Sequence, residues 1–248
     1  MNSTLYTSMA GLQAVQVRMA AVAANLANLQ TNGYAAVQAA TVAAPYTGPD
    51  APAGADAVAL TPGPNTTQGA LIHTGDPLNV GLGGDAWLTV QTAAGTALTR
   101  DGSLSISAAG ILTDSDGNPV LSAGGAPISV PRLAKLEIGA DGTVSGIPAS
   151  SPGSNPQNFG QIGMVKTPAG TMTPLGGSRY AAPAGGGLVP ATDGSVNQGY
   201  LNASNVDPTQ AMVEMIDDSR SYQLQAELMK GQGGSGASAD LNALLTGG

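Results

Sequence analysis

The chain contains no cysteine. Disulfides and thiolate metal sites are therefore excluded, and the fold is indifferent to redox compartment. Charge is scarce: 10% of the 248 residues are Asp, Glu, Lys or Arg, against about 25% in typical soluble domains. Only eight residues are basic and the formal net charge is −8. A nucleic-acid surface needs clustered Lys and Arg to neutralise phosphates, so no nucleic-acid partner is expected. Aromatics make up 3%, which leaves Val, Leu, Ile, Ala and Met to build the core. No run approaches the roughly 18 uninterrupted apolar residues of a membrane span, so direct membrane insertion is not expected. The N-terminal "AAVAANLA" has the small-residue texture of a cleavage site. It lacks a positive n-region, however, and Gln13, Gln16 and Arg18 break any apolar h-region, so no cleaved signal peptide is expected.

Catalytic constellations are equally sparse. His73 is the single histidine, and no acidic spacing around it suggests a metal site. "GLGGDA" at residues 81–86 fits a dinucleotide-type glycine pattern, but "WLTVQ" follows it, a strand where that motif needs a helix. "DSDGN" at 114–118 has the opening of a calcium loop, yet Pro119 and Gly125 stand where the loop needs Gly and Glu. Both stretches read as turns. There is no G-x-S-x-G elbow and no S-x-x-K. The sequence predicts no enzyme, no cofactor and no metal site.

Two helices stand out against this background. Leu12, Val15, Met19, Val22, Leu26 and Leu29 repeat at 3-4-3-4-3 spacing, the seam of a coiled coil. Arg18 is the only charge between Met1 and Ala44, and Val17, Ala20, Ala24 and Ala27 occupy the outer positions. The helix is expected to run to Gln30 and to stop at "TNGY", with Gly33 in the left-handed conformation. A second helix opens at "NVDPTQ", with Asp207 as N-cap, Pro208 at the first helical position and Gln210 in place for a capping box. Met212, Met215, Tyr222 and Met229 fall on its own 3-4 spacing, before "GQGGSGAS" interrupts it. Residues 45–67, rich in Pro, Gly and Ala, read as an extended connector. From 68 to 198, short apolar runs alternate with Asp-Gly and Gly-Gly turns, an antiparallel meander. In "WLTVQ", Leu88 and Val90 alternate as in a strand with one buried face.

The expected fold is thus mainly β with α-helical termini. Residues 1–44 and 199–248 form a coiled-coil layer around an antiparallel β central domain at 68–198. A helix that is apolar or Ala-rich nearly all round is stable only when covered on every side. One β-domain and one partner helix are too little cover, whereas neighbouring subunits supply it. The expected assembly interface is Leu12, Val15, Met19, Val22, Leu26, Leu29, Met212, Met215, Tyr222 and Met229.

"NLANLQTNGY", "GDPLNVGLGGDAWLTVQ", "LTRDGSLSISAAGILTDSDGNPVL" and "GYLNASNVDPTQAMVEMIDDSRSYQ" together resemble the axial proteins of the bacterial flagellum, the rod and hook family. The resemblance covers about residues 1–44, 68–147 and 195–230. It implies a structural subunit of the periplasm-spanning basal-body rod, most like the proximal-rod members, with a distal-rod or hook subunit as the alternative. It further implies assembly into a helical tube that transmits torque from motor to hook, with an inner coiled-coil layer. The implied partners are copies of the same chain, other rod and hook subunits, and the flagellar type III export apparatus. "GQGGSGAS" departs from the family pattern, in which the helix continues. A secreted β-domain binding module is the reading from another class. It calls for an exposed aromatic cluster, whereas Trp87 and Phe159 read as isolated.

Overall fold

A computed structural model describes residues 2–45, 55–60, 63–168, 172–183 and 188–246; the side chains of 2–8, 43–45, 55–57, 59–60, 228–229 and 231–246 lie outside that description. The chain forms two compact units. One comprises Met1–Leu26, Gln38–Pro62 and Pro208–Gly248, the other Ala27–Val37 and Gly63–Asp207.

The first unit holds helix α1 (Asn2–Ala27), strands β1 (Ala40–Pro45) and β2 (Ala55–Leu60), and helix α2 (Pro208–Thr246). β1 and β2 pair antiparallel, with Val42 opposite Val58, so the stretch expected to be an extended connector carries a paired strand. α1 ends at Ala27, short of the expected Gln30; a turn follows in which Thr31 bonds back to Asn28 through its N–H and its hydroxyl. α2 starts at Pro208, as the capping pattern requires, but runs unbroken through "GQGGSGAS". Each glycine there costs a helix about 1 kcal/mol relative to Ala. None removes a backbone donor as proline would, and helix-forming "QLQAELMK" and "ADLNALL" flank the stretch. No described helix is long and apolar enough to cross a membrane.

The second unit is built from β3 (Leu71–His73), β4 (Val80–Gly83), β5 (Trp87–Thr92), β6 (Gly95–Thr99), β7 (Ser105–Ile106), β8 (Leu112–Thr113), β9 (Leu133–Ile138), β10 (Thr143–Pro148), β11 (Gln157–Gln161), β12 (Met164–Lys166), β13 (Thr173–Gly176), β14 (Arg179–Ala181), β15 (Val189–Pro190), β16 (Ser195–Gln198) and β17 (Tyr200–Asn202). Every strand pair is antiparallel. The order is not a simple meander. The largest sheet runs β13-β14-β6-β5-β12-β15, and β16 and β17 return to pair with β4 and β3. The glycine-rich second half of the unit thus completes sheets begun by the first half. Its last strands lie beside its earliest.

"DSDGN" forms a turn whose shape is set by Asp114. One carboxylate oxygen accepts the N–H groups of Asp116 and Asn118, and Gly117 supplies the positive φ of 82°. "GLGGDA" forms β4 and the turn into β5, with Trp87 opening the strand.

β5 and β6 are buried on both faces, not one. Leu88, Val90 and Ala97 join the main aliphatic cluster with Val80, Leu112, Val120 and Ile162. Trp87 and Leu98 face a smaller cluster of Ala35, Met172 and Tyr180. Two of the scarce aromatics, Trp87 and Tyr180, meet in this cluster, while Phe159 packs against the aliphatic one. Trp87 is not isolated: it meets Tyr180 edge-on at 5.3 Å.

Candidate assembly site

In the helical unit, α1 and α2 run antiparallel. Arg18 Nη2 donates to Asp218 Oδ1 at 2.6 Å, and Gly11 lies against the amide end of Gln225. The face of α1 that carries Gly11 and Arg18 also carries buried Ala14, Val15, Ala21, Val22 and Asn25; buried Ala211 and Asp218 share a face of α2. This seam mixes small and polar side chains with buried Val15 and Val22. Further large apolar side chains lie outside it: Met9 and Val17 on α1, and Met212, Val213, Ile216 and Leu224 on α2, are all exposed, Leu224 by 63%. That is the reverse of a water-facing helical hairpin.

Of the expected interface residues, Val15 and Val22 are buried; Leu12, Met19 and Leu26 are half-buried one step round α1; Leu29 is half-buried in the turn beyond it. On α2, Met215 and Tyr222 are half-buried and Met212 is exposed, while the Met229 side chain lies outside the described residues. The stripe drawn by the 3-4 spacing on α1 is thus offset toward one side of its buried face, while on α2 Met215 and Tyr222 share the face of Ala211 and Asp218 and Met212 lies off it.

In the β unit, the segment that follows α1 is fastened to the segment that precedes α2. Gly33 N–H donates to the Asn202 carbonyl at 2.7 Å, and Asn205 N–H donates to the Tyr34 carbonyl at 3.2 Å. The Asn205 side chain accepts Ala36 N–H at 2.7 Å and donates to the carbonyls of Asn65 and Thr67. Tyr180 clasps Ala35 from below, accepting its N–H at 3.1 Å and donating to its carbonyl at 2.8 Å. Asn202 behaves as a strand partner in miniature: its amide accepts Leu82 N–H and donates to Leu82 C=O. Gly33 is in the left-handed region, with φ 67°, and a Cβ there would stand 2.2 Å from the Arg100 carbonyl carbon and the Asp101 nitrogen. Only glycine fits.

Behind this cluster lies a buried cation. Arg100 donates to the carbonyls of Ala86, Thr66 and Thr67 and rests 4.2 Å over the Trp87 ring. Burial pulls its guanidinium below its ordinary value, and Asp85 opposes the shift. Burial also pushes Tyr180 up to about 12, the Ala35 hydrogen bond holding it partly back, and raises Tyr34. Asp101 is raised by burial, against hydrogen bonds from Ser115 and Ser103. Nothing in this arrangement pairs a nucleophile with a base. Its chemistry is that of a joint: backbone groups satisfied by side chains around a fixed glycine.

Arg18–Asp218, Asn202, Asn205, Tyr180 and Arg100 are not among the residues that sequence spacing selects. One signal was available for the first pair. A lone charge in an otherwise uncharged helix needs a partner, and Arg18 is such a charge.

Residues 5–34 match the family described as Flagella basal body rod protein, 81–146 the Flagellar hook protein FlgE/F/G D1 domain, and 197–233 the Flagellar basal body rod FlgEFG protein C-terminal. These stretches contain Gly33 and Tyr34, Arg100 and Asp101, and Asn202 and Asn205, the residues that converge at the joint. The chain is 34% identical over 236 residues to flagellar basal-body rod protein FlgF of Salmonella typhimurium, covering 92% of this chain and 93% of that protein. It is also 34% identical over 242 residues to FlgF of Escherichia coli, with 92% and 93% covered. To flagellar basal-body rod protein FlgG of Bacillus subtilis it is 28% identical over 251 residues, with 91% and 93% covered.

Proposed function

This chain belongs to the family of flagellar basal-body rod proteins as a structural subunit of the rod, and from that premise we propose that the outer faces of α1 and α2 are the surfaces by which it joins a helical tube. The observation that carries the reading is the placement of Met9, Val17, Met212, Val213, Ile216 and Leu224 in water while Arg18, Asn25 and Asp218 occupy the seam. Burying one such apolar side chain contributes about 1.5–3 kcal/mol when fully exposed to begin with, and about half that here. Contacts between unlike faces build an open helix where the rotation per subunit does not close into a ring, and the tube is that case. The terminal helices, with the expected seam Leu12, Val15, Met19, Val22, Leu26, Leu29, Met212, Met215, Tyr222 and Met229, form the coiled-coil layer of that tube.

The subunit belongs to the proximal rod and carries torque from motor to hook. Identity of 31–34% to FlgF-named relatives against 28% to FlgG-named ones supports that position over the distal rod. Its partners are copies of itself, other rod and hook subunits, and the type III export apparatus that delivers it without a cleaved signal. The test is an Ile216→Lys/Leu224→Lys double variant. Both side chains are exposed in the single subunit, so folding and secretion are expected to be unchanged. Recovery in purified basal bodies, and motility, should fall at least tenfold, while Ser150→Lys in an exposed turn of the β unit is tolerated. Normal incorporation of the double variant refutes the assigned surface.

A further inference from the structure

The seam between α1 and α2 combines buried Val15 and Val22 and half-buried Met215 and Tyr222 with small residues, Gly11, Ala14, Ala21 and Ala211. Apolar contacts are non-directional, so by themselves they resist a one-turn shift of such faces weakly. Across this seam, among the described residues, runs one ion pair, Arg18 to Asp218 at 2.6 Å, with the Arg18 side chain 36% and the Asp218 side chain 10% exposed. A charge taken from water is costly unless its partner stands opposite, and a single polar position in a seam is a known way to specify register.

We infer that Arg18–Asp218 is the register key of the α1–α2 pair: it selects the one antiparallel alignment in which Gly11 stands at Gln225. A slip by one turn displaces α1 by about 5.4 Å. In one direction Arg18 then faces Tyr222, which cannot neutralise it. In the other it faces Glu214, and Asp218, its side chain 10% exposed, is left opposite Ala14 with no cation. The alignment also decides which outer residues lie side by side, because Val17 adjoins Arg18 and Ile216 lies two residues before Asp218. The key concerns the single chain and holds whether or not the outer faces are the assembly surface.

Absence of native cysteine makes the test clean. Full-length Gly11→Cys/Gln225→Cys reports the native alignment, and Gly11→Cys/Ser221→Cys reports the one-turn slip, each read as the yield with a short thiol-to-thiol crosslinker. With the ion pair intact, the native pair is expected to crosslink about tenfold more than the slipped pair, the preference that leaving a charge unpartnered imposes. Adding Arg18→Met/Asp218→Met should bring the two yields within about twofold, with helical circular dichroism retained, because the apolar pair keeps the packing and loses the key. The swapped pair Arg18→Asp/Asp218→Arg should restore the contrast, which a merely packing role would not. A tenfold contrast that survives Met/Met substitution overturns the inference. So does a swapped pair that fails to restore it, and that arm decides the matter if the Met/Met chain does not fold.

Discussion

Gly33→Ala is the sharpest probe of the joint. Two costs add at that position. Placing a non-glycine residue at φ 67° costs about 1–2 kcal/mol. The new methyl would also stand 2.2 Å from two backbone atoms, the Arg100 carbonyl carbon and the Asp101 nitrogen, which cannot rotate away as a side chain would. Overpacking of that kind costs about 1–3 kcal/mol more, and relief by movement breaks the 2.7 Å bond from Gly33 to Asn202. The sum is about 3 kcal/mol or above. Gly117→Ala is the matched control: its φ is 82°, yet no atom lies within 4 Å of its would-be Cβ, so only the conformational cost of about 1 kcal/mol applies. Trp87 is the single tryptophan and lies in the cluster with Ala35 and Tyr180, so its fluorescence reports the unit in which both changes lie. With a slope of about 2 kcal/mol per molar urea, Gly33→Ala should lower the midpoint by about 1.5 M and Gly117→Ala by about 0.5 M. Equal shifts would refute the claim that close approach, and not backbone conformation alone, fixes the glycine.

Tyr180→Phe strips both hydrogen bonds from Ala35 and should cost about 1–3 kcal/mol at neutral pH, by urea titration. The wild-type hydroxyl, pushed up to about 12, stays protonated where the unfolded chain has ionised near 10. Its contribution is therefore complete below pH 10 and declines by about 3 kcal/mol between pH 10 and 12, a slope that the Phe variant should reduce in the same titrations at high pH. Asn205→Ala removes the acceptor of Ala36 N–H and the donor to Asn65 and Thr67, and should lower stability by about 2 kcal/mol. A loss under 0.5 kcal/mol would mean that water replaces the amide at no cost.

Both helices and the antiparallel β unit were legible because their signals are local: 3-4 apolar spacing, Asp207-Pro208 at a helix start, and Asp-Gly at hairpin turns. Gly33 was legible for the same reason, as the left-handed residue after a helix. What stayed hidden is non-local. Tyr180 meets Ala35 across 145 residues and Arg18 meets Asp218 across 200, and spacing along a chain carries no record of either. Strand order was hidden likewise, since β16 could pair with any exposed edge until β4 was built. Trp87 looked isolated because its partners are distant in sequence, and β5 looked one-faced because Tyr180 and Met172, which cover its other face, arrive some 80 residues later. The unbroken α2 shows composition misleading in the opposite way: four glycines weaken a helix without forbidding it.

The joint pairs, within the β unit, the segment that follows α1 with the segment that precedes α2. Three hydrogen bonds join residues 33–36 to residues 202–205: Gly33 to Asn202, Asn205 to Tyr34, and Ala36 to Asn205. Bonds that are strained in parallel share a load, and none can lengthen until the others do. Each contributes only about 1 kcal/mol against water at equilibrium. Here, however, both the Gly33 and the Tyr34 backbone groups are buried, so breaking one leaves a group with no water to turn to, at about 1–3 kcal/mol. Arg100 closes the remaining route for yielding. It ties residues 66 and 67 to Ala86 and lies flat on Trp87, so the floor beneath Gly33 is as fixed as the bonds above it. A rigid pairing of these two segments follows from burial around a glycine.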